Sequence, residues 1–323
     1  MPSKYPASEP ELSIIVTVVG GKELVRRCLA ALCAQVNFAT AEVIVPYDCW
    51  SAEVGDLASE FSQVRFHFIN ELYAASSATA TVRQHRLFDR RRAIGLSLAR
   101  GRLVAMTEDY AVPAEDWSQQ ICRAHEQPYA VIGGAIENAV DRPLNWALYY
   151  CDFGRYGEPL QPGEAEYASD VNIAYKREAL AAVRDVWCGD YHETTVHWAL
   201  RSRGETIFLD PRMIVYEHRS RITLLQALRE RVEWGRIFAE TRISTCSFWR
   251  RIFFAAGTSV LPALLILRVF RHMLRQRRSA RQFAQTMPLA AFLLVAWSWG
   301  EFIGYLGGLM RANVSLTKRA SEM

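Results

Sequence analysis

The sequence predicts an α/β chain: a mostly parallel central sheet flanked by helices, followed by hydrophobic C-terminal helices. Three observations carry this. Short β-rich apolar runs alternate with stretches of helical period over residues 12–107. Several runs close on glycine or on a carboxylate, the punctuation of strand ends. The last quarter holds two long apolar segments separated by a basic stretch.

Residues 12–19 (LSIIVTVV) read as a first strand ending at Gly20-Gly21. Residues 22–35 place Leu24, Val25, Cys28, Leu29 and Leu32 at helical spacing. Residues 42–47 (EVIVPY) form a second strand closing on Asp48, 52–61 a helix, and 64–69 a third strand. The polar stretch 70–84 reads as a loop, 86–99 as a helix ending at Gly101, and 102–107 (RLVAMT) as a strand running into Glu108-Asp109. Strands separated by helices of this length imply βαβ units. In such sheets ligands gather beyond the carboxyl ends of the strands, where Asp48 and Glu108-Asp109 fall. Residues 129–218 are less regular. Strands are expected at 129–133, 171–175, 206–209 and 213–217, and helices near 143–150, 176–184 and 191–203, all continuing the same domain.

Residues 222–251 read as a basic amphipathic helix region and 252–323 as a membrane-associated helical tail, which leaves 1–221 as the first domain. The apolar run 252–267 is interrupted by Pro262 and reaches only about 24 Å, short of the roughly 30 Å hydrocarbon core. Residues 288–310 are long enough to span, and carry Gly300, Gly304 and Gly308, a small-residue face suited to close helix packing. Between the two lie Arg268, Arg271, Arg275, Arg277, Arg278 and Arg281, with no acidic residue. A two-helix hairpin would put this basic loop opposite a cytosolic first domain, against the positive-inside rule. Shallow or re-entrant helices are therefore the expectation, with core helices of a soluble protein as the alternative.

Net charge is +4, mild overall, but arginine concentrates in the C-terminal third, which suits phosphate or lipid headgroups. The patch lacks the interleaved aromatic platform of single-strand binders, so a nucleic-acid partner is not expected. Seven cysteines show neither CxxC pairing nor metal-ligand spacing and read as reduced thiols. The first dozen residues are polar, with no secretory pattern.

Several residues are candidates for chemistry. Asp48 offers hydrogen-bond acceptors to a base or ribose, or is an ordinary turn aspartate. Glu108 and Asp109 are hard oxygen donors suited to Mg²⁺ or Mn²⁺, or a solvated strand-end turn. Glu193 is a general base for an acceptor hydroxyl, or the last member of an Asp190-x-x-Glu193 capping box. His218 is a phosphate or metal contact or a satisfied surface histidine. Arg229 and Arg236, seven apart on one helix face, meet phosphate, solvent or lipid headgroups.

The order of these features resembles the family 2 glycosyltransferases of the GT-A fold. The resemblance runs from residue 12 to about 240. It rests on SIIVTVV, EVIVPYD, RRRAIGLSLARGRLVAMTEDY followed by AVPAEDW, SDVNIAYKREAL, HETTVHWALRSRG and IFLDPRMIVYEH, and on the tail WSWGEFIGYLGG. The resemblance implies a GT-A-like domain and a nucleotide-sugar donor. It also implies a glycan or lipid acceptor, membrane lipids as partners, and a cell-membrane location with the catalytic domain cytoplasmic. It assigns Asp48 to the nucleotide, Glu108 and Asp109 to a divalent cation, Glu193 to the catalytic base, His218 to the late histidine, and Arg236 to the neighbourhood of an arginine-bearing helix. There are departures. Tyr110 stands at the last acidic position of D-x-D, and a phenol at neutral pH is a poor ligand for a hard cation. The usual Q-x-x-R-W is replaced by RERVEWGR, and VVGGK follows the first strand. The function implied is inverting, metal-assisted sugar transfer. The alternatives are a non-catalytic membrane scaffold and a sugar-phosphate nucleotidyltransferase, for which Gly20-Gly21-Lys22 is a thin signature.

Overall fold

The computed structural model describes residues 9–35, 40–70, 80–219, 222–243, 246–276 and 279–321. In chain order the elements are β1 (Leu12–Thr17), α1 (Lys22–Cys33), β2 (Ala41–Tyr47), a 3-10 segment (Cys49–Ser59), β3 (Arg65–Phe68), α2 (Ala80–Leu98), β4 (Leu103–Glu108), β5 (Ala111–Pro113), α3 (Trp117–Ala124), β6 (Val131–Asn138), α4 (Pro143–Asp152), β7 (Gly163–Ala165), β8 (Asn172–Lys176), α5 (Arg177–Ala182), α6 (Arg184–Trp187), α7 (Glu193–Ser202), β9 (Ile207–Glu217), α8 (Leu224–Ile243), α9 (Phe248–Gly257), α10 (Leu261–Arg275) and α11 (Ala280–Ser321). The chain forms two compact units: residues 1–139 with 156–220, and residues 140–155 with 221–323.

The first unit is built on a nine-stranded sheet of order β3-β2-β1-β4-β8-β6-β9-β5, with β7 also paired to β9. Strands β3, β2, β1 and β4 are all parallel. Antiparallel β8 then joins this half to a mixed half in which β6 and β9 run parallel. The α/β class expected from the sequence is therefore the one observed. Strands β1 and β4 are buried along their whole length, which suits their continuous apolar runs. Helix α2 lies close on the sheet because Gly95 has no side chain: a Cβ there would fall 3.2 Å from Pro46 Cγ and closer still to Ile15. Gly101 serves the same end, since its Cβ would meet the backbone nitrogen of Ser13 at 2.5 Å.

Several local expectations change. The segment after Asp48 is a kinked 3-10 run, not a regular helix; Asp48 caps it and Ser51 leaves helical geometry. The two strands expected at 206–209 and 213–217 are one, β9, whose pairing with β6 shifts register between Gly134 and Ala135. Pro211 lies in the shifted stretch and has no N–H for the ladder. The helix expected at 176–184 is broken at Val183 into α5 and α6. Most of the loop expected at 70–84 falls outside the described residues.

The second unit holds α4 and α8–α11. Helix α4, expected to belong with the first domain, packs with the C-terminal helices instead. Buried Arg231 of α8 forms a two-pronged ion pair with Asp152, one arm at 2.6 Å. Tyr150 donates to Gln276 at 2.6 Å. Arg231 is therefore an internal tie within this unit. Two members of the small-residue face of α11 pack closely, Gly308 lying outside the residues whose surroundings are described: a Cβ on Gly300 would fall 2.7 Å from the carbonyl carbon of Val232, and one on Gly304 at 2.7 Å from the Ala239 side chain. Its partner is α8. The run 252–267 breaks at residues 258–260, not at Pro262, which occupies the first turn of α10 where a missing N–H costs nothing. The two pieces, α9 and α10, meet at a bend of 57°. Ala280–Gly307 is long and apolar enough to cross a membrane. Arg277 and Arg278 of the basic stretch lie outside the described residues.

Candidate active site

The site develops at the carboxyl ends of β1, β2 and β4, and the residues that organise it are two neighbouring arginines on α2. Arg91 and Arg92 are both buried. Arg91 grips Asp48 with two prongs, Nε to Oδ2 at 2.9 Å and Nη2 to Oδ1 at 2.8 Å. It also donates to Ser51 Oγ at 3.1 Å and to the Val18 carbonyl. The Asp48 Oδ1 accepts the Trp50 amide as well, at 2.9 Å. Asp48 is thus a buried cap and ion-pair partner, with both carboxylate oxygens engaged.

Arg92 donates to Glu108 and lies 3.0 Å from Asp170 and 3.2 Å from Asp89. Glu108 is also hydrogen-bonded by the Tyr110 hydroxyl. Burial raises the Glu108 pKa, and Arg92 opposes that rise. Burial, followed by the charge of Glu108, raises the Tyr110 phenol.

Asp109 points the other way, into the loop between β1 and α1. Its carboxylate accepts the amides of Val19 at 3.0 Å, Gly20 at 2.8 Å and Gly21 at 3.1 Å. Gly21 adopts φ 100°, a left-handed conformation that glycine takes without steric cost, and this lets the loop turn three successive N–H groups onto one carboxylate. Burial pushes the Asp109 pKa up to about 6 against those three amides.

Glu193 opens α7. The capping-box alternative is not what forms, because His192 is the N-cap residue and makes no side-chain cap. Glu193 turns instead to the loop before β8, where its Oε2 accepts the Asp170 amide at 3.0 Å. The two carboxyl groups are also hydrogen-bonded to each other. Burial, then the charge of Asp170, raises the Glu193 pKa well above the usual carboxylate range. Beneath them lies a buried relay in which the Tyr175 hydroxyl meets the Tyr191 hydroxyl at 2.6 Å and His197 Nε2 at 3.2 Å. Burial lowers His197 to about 4, so it is neutral near pH 7.

Arg91 thus holds Asp48, and Arg92 holds Glu108 and Asp170, with Glu193 on the Asp170 amide and Asp109 anchoring the adjoining loop of the site. His218 stands at its margin: its amide donates to the Tyr110 carbonyl at 2.7 Å. Burial, then the charge of Arg27, lowers the His218 pKa. Arg236 belongs to the second unit, where it pairs with Glu240 at 3.2 Å and lines an open groove of about 460 Å³ with Leu228, Arg229, Val232, Glu233 and Ile303.

No known family model matches the chain, and no curated protein matches it. Among solved structures, the mannosyltransferase PcManGT from Pyrobaculum calidifontis, in complex with GDP-Man and Mn2+, is similar at 15% identity and a TM-score of 0.45. The match covers 99% of this chain and 83% of that one. A likeness this remote carries no function.

The donor set itself tests the expected cation. Glu108 is taken by Arg92 and Tyr110, and Asp109 by three amides. Among the described residues no group of three His, Cys, Asp or Glu side chains is arranged to hold an ion. A divalent ion at Glu108 would stand against the Arg92 guanidinium. As arranged, both carboxylates of the Glu108–Asp109 pair are engaged by protein donors. The residues that sequence reasoning missed are Arg91, Arg92 and Asp170. The RRR run entered only as part of the RRRAIGLSLARG segment, and Asp170 lay unremarked in the SDVN segment.

Proposed function

We propose that this chain is a membrane-associated glycosyltransferase of GT-A type that moves a sugar from a nucleotide-sugar to a hydroxyl acceptor with inversion. One observation carries the reading: acidic residues from three separated stretches, 48, 108 and 170, pair with the adjacent arginines of α2 at the carboxyl edge of a parallel half-sheet, and Glu193 from a fourth accepts the Asp170 amide. The order of sequence motifs supports it independently.

In this reading the sugar lies beyond β1 and β4, and Glu193 belongs to the group that deprotonates the attacking hydroxyl. An inverting reaction needs the base on the face opposite the departing diphosphate. Arg91 and Arg92 hold Asp48, Glu108 and Asp170 in place, so these acidic side chains are preorganised. No metal step is assigned to this chain's residues. Membrane association draws support from Ala280–Gly307 and from large apolar side chains left bare on α9 and α11. Trp249 is 76% exposed, Phe253 72%, Phe292 62% and Trp299 57%. The basic stretch beside them suits anionic headgroups, and a cytoplasmic catalytic domain is part of the proposal.

The commitment of Asp48, Glu108 and Asp109 to internal partners favours one rival, a non-catalytic scaffold that keeps the fold. A single experiment separates the two. Detergent-solubilised full chain is screened by thermal shift and calorimetry against UDP- and GDP-hexoses, with and without Mn²⁺, and each binder is assayed for release of the nucleoside diphosphate. Binding with turnover supports the transferase. No heat and no turnover with any donor supports the scaffold.

A further inference from the structure

The base position holds two carboxyl groups where the sequence offered one. We propose that Asp170 and Glu193 work as one proton-sharing pair, in which the Asp170 carboxylate, braced by Arg92, takes the acceptor proton while Glu193 keeps the proton they already share. This rests on the transferase reading above and deepens it.

The geometry is specific. The Asp170 amide donates to Glu193 Oε2 at 3.0 Å, and the two side chains are hydrogen-bonded. Arg92 Nη2 stands 3.0 Å from Asp170 Oδ2. A hydrogen bond between two carboxyl groups needs a proton on one of them, since two carboxylates at that range repel. Arg92 pairs with the Asp170 carboxylate, and burial favours the neutral form of Glu193. A protonated Glu193 has no basicity of its own to offer; the ionised partner does.

The surroundings reinforce that assignment. Arg92 and Asp89 face the pair from α2, and Glu108 from β4. Tyr175 of β8, with Tyr191 and His197, closes the floor; burial keeps both phenols and the imidazole uncharged near neutrality. His192 Nε2 stands 3.5 Å from Asp89 Oδ2. Arg92 is thus the cation that touches the pair directly.

The step balances. The acceptor O–H bond breaks and its oxygen bonds the anomeric carbon. The proton passes to Asp170. The bond from that carbon to the diphosphate oxygen breaks, and its electron pair leaves on the nucleoside diphosphate. Before the step the pair carries one proton and one negative charge; afterwards it carries two protons and none.

Two measurements on the full chain in detergent test this. The first is melting temperature against pH from 5 to 9 for wild type, Glu193→Gln and Asp170→Asn, which needs no substrate. A carboxyl whose folded pKa is raised gives stability that is complete below its unfolded value and is lost as pH rises through the folded value. The pair should therefore add to the fall in wild-type melting temperature as pH climbs, over and above the share of Asp89, Glu108 and Asp109, whose raised pKa values persist in every variant, and Glu193→Gln, which holds an N–H toward Asp170 at every pH, should show a shallower slope than wild type. The second is turnover with whichever UDP- or GDP-hexose supports it in wild type. Asp170→Asn should lower kcat by about 100-fold or more with KM little changed, whereas Glu193→Gln should lose only about 10-fold, because the proton-accepting carboxylate remains. Identical melting slopes in wild type and Glu193→Gln would overturn the shared proton. A Glu193→Gln loss as deep as that of Asp170→Asn would return the base role to Glu193 alone, and full activity in Asp170→Asn would end the role of Asp170. Absence of turnover with every donor removes the transferase reading and the base role with it, and the melting curves then report separately on the pair.

Discussion

Replacing Arg91 with methionine probes the joint on which Asp48 depends. Both side chains of the pair are nearly inaccessible, at 4% and 5% exposure, and the grip is two-pronged at 2.8 and 2.9 Å. Methionine fills much of the volume but leaves the Asp48 carboxylate buried with backbone amides, Trp50 and Ser51, in place of the guanidinium. Removing one member of a buried ion pair costs about 3–5 kcal/mol, because the remaining charge is uncompensated. For a unit of roughly 200 residues, each kcal/mol moves the melting temperature by about 2–4 °C, so Arg91→Met should melt roughly 6–20 °C lower. The double variant Arg91→Met/Asp48→Asn removes the charge as well and keeps an oxygen to cap the Trp50 amide. It should recover most of the loss, giving a coupling energy of about 2 kcal/mol or more. The assay is thermal and urea unfolding of wild type, both single variants and the double variant at pH 7. If Arg91→Met lies within about 1 kcal/mol of wild type, or the two changes simply add, the pair does not hold Asp48 in the manner described.

Two further outcomes follow from the same reasoning. Gly300→Val should destabilise the second unit by about 1–3 kcal/mol, since its Cβ meets the backbone of Val232, whereas Gly257→Ala, with nothing within 4 Å of its Cβ, should leave melting unchanged or slightly raised; protease resistance and melting temperature read both. Burial, then the charge of Lys176, lowers His125 from 6.5 to about 4, so the fold favours the neutral ring. Stability should therefore fall as pH drops from about 6.5 to 4, by up to about 3 kcal/mol, and His125→Gln should flatten that acid limb in urea titrations.

The parallel half of the sheet was legible because its signals are local. Each of β1, β2 and β4 is a short apolar run, and each is followed by the glycine or carboxylate that marks a strand end. The glycine face of α11 was legible for the same reason: its period places Gly300 and Gly304 on one side whatever lies against them. The site residues were legible in type and position but not in employment. Asp109 looked like a metal ligand because two acids follow a buried strand. Its partners are amides some 90 positions earlier in the chain, and backbone N–H groups leave no compositional mark. Glu193 fitted a capping box by spacing, yet α7 begins at Glu193 itself, so the box has no first turn to cap.

By itself the sequence determined the α/β alternation, the carboxyl-edge position of Asp48 and Glu108, and the small-residue seam of α11, all consequences of periods two to four residues long. The tertiary structure alone decided that Arg91 and Arg92 divide the acidic residues between them, that Asp170 pairs with Glu193, and that α4 joins the C-terminal helices. The physical reason is range: a buried charge must be neutralised by whatever group the fold brings within about 3 Å, and that neighbour can come from anywhere along the chain.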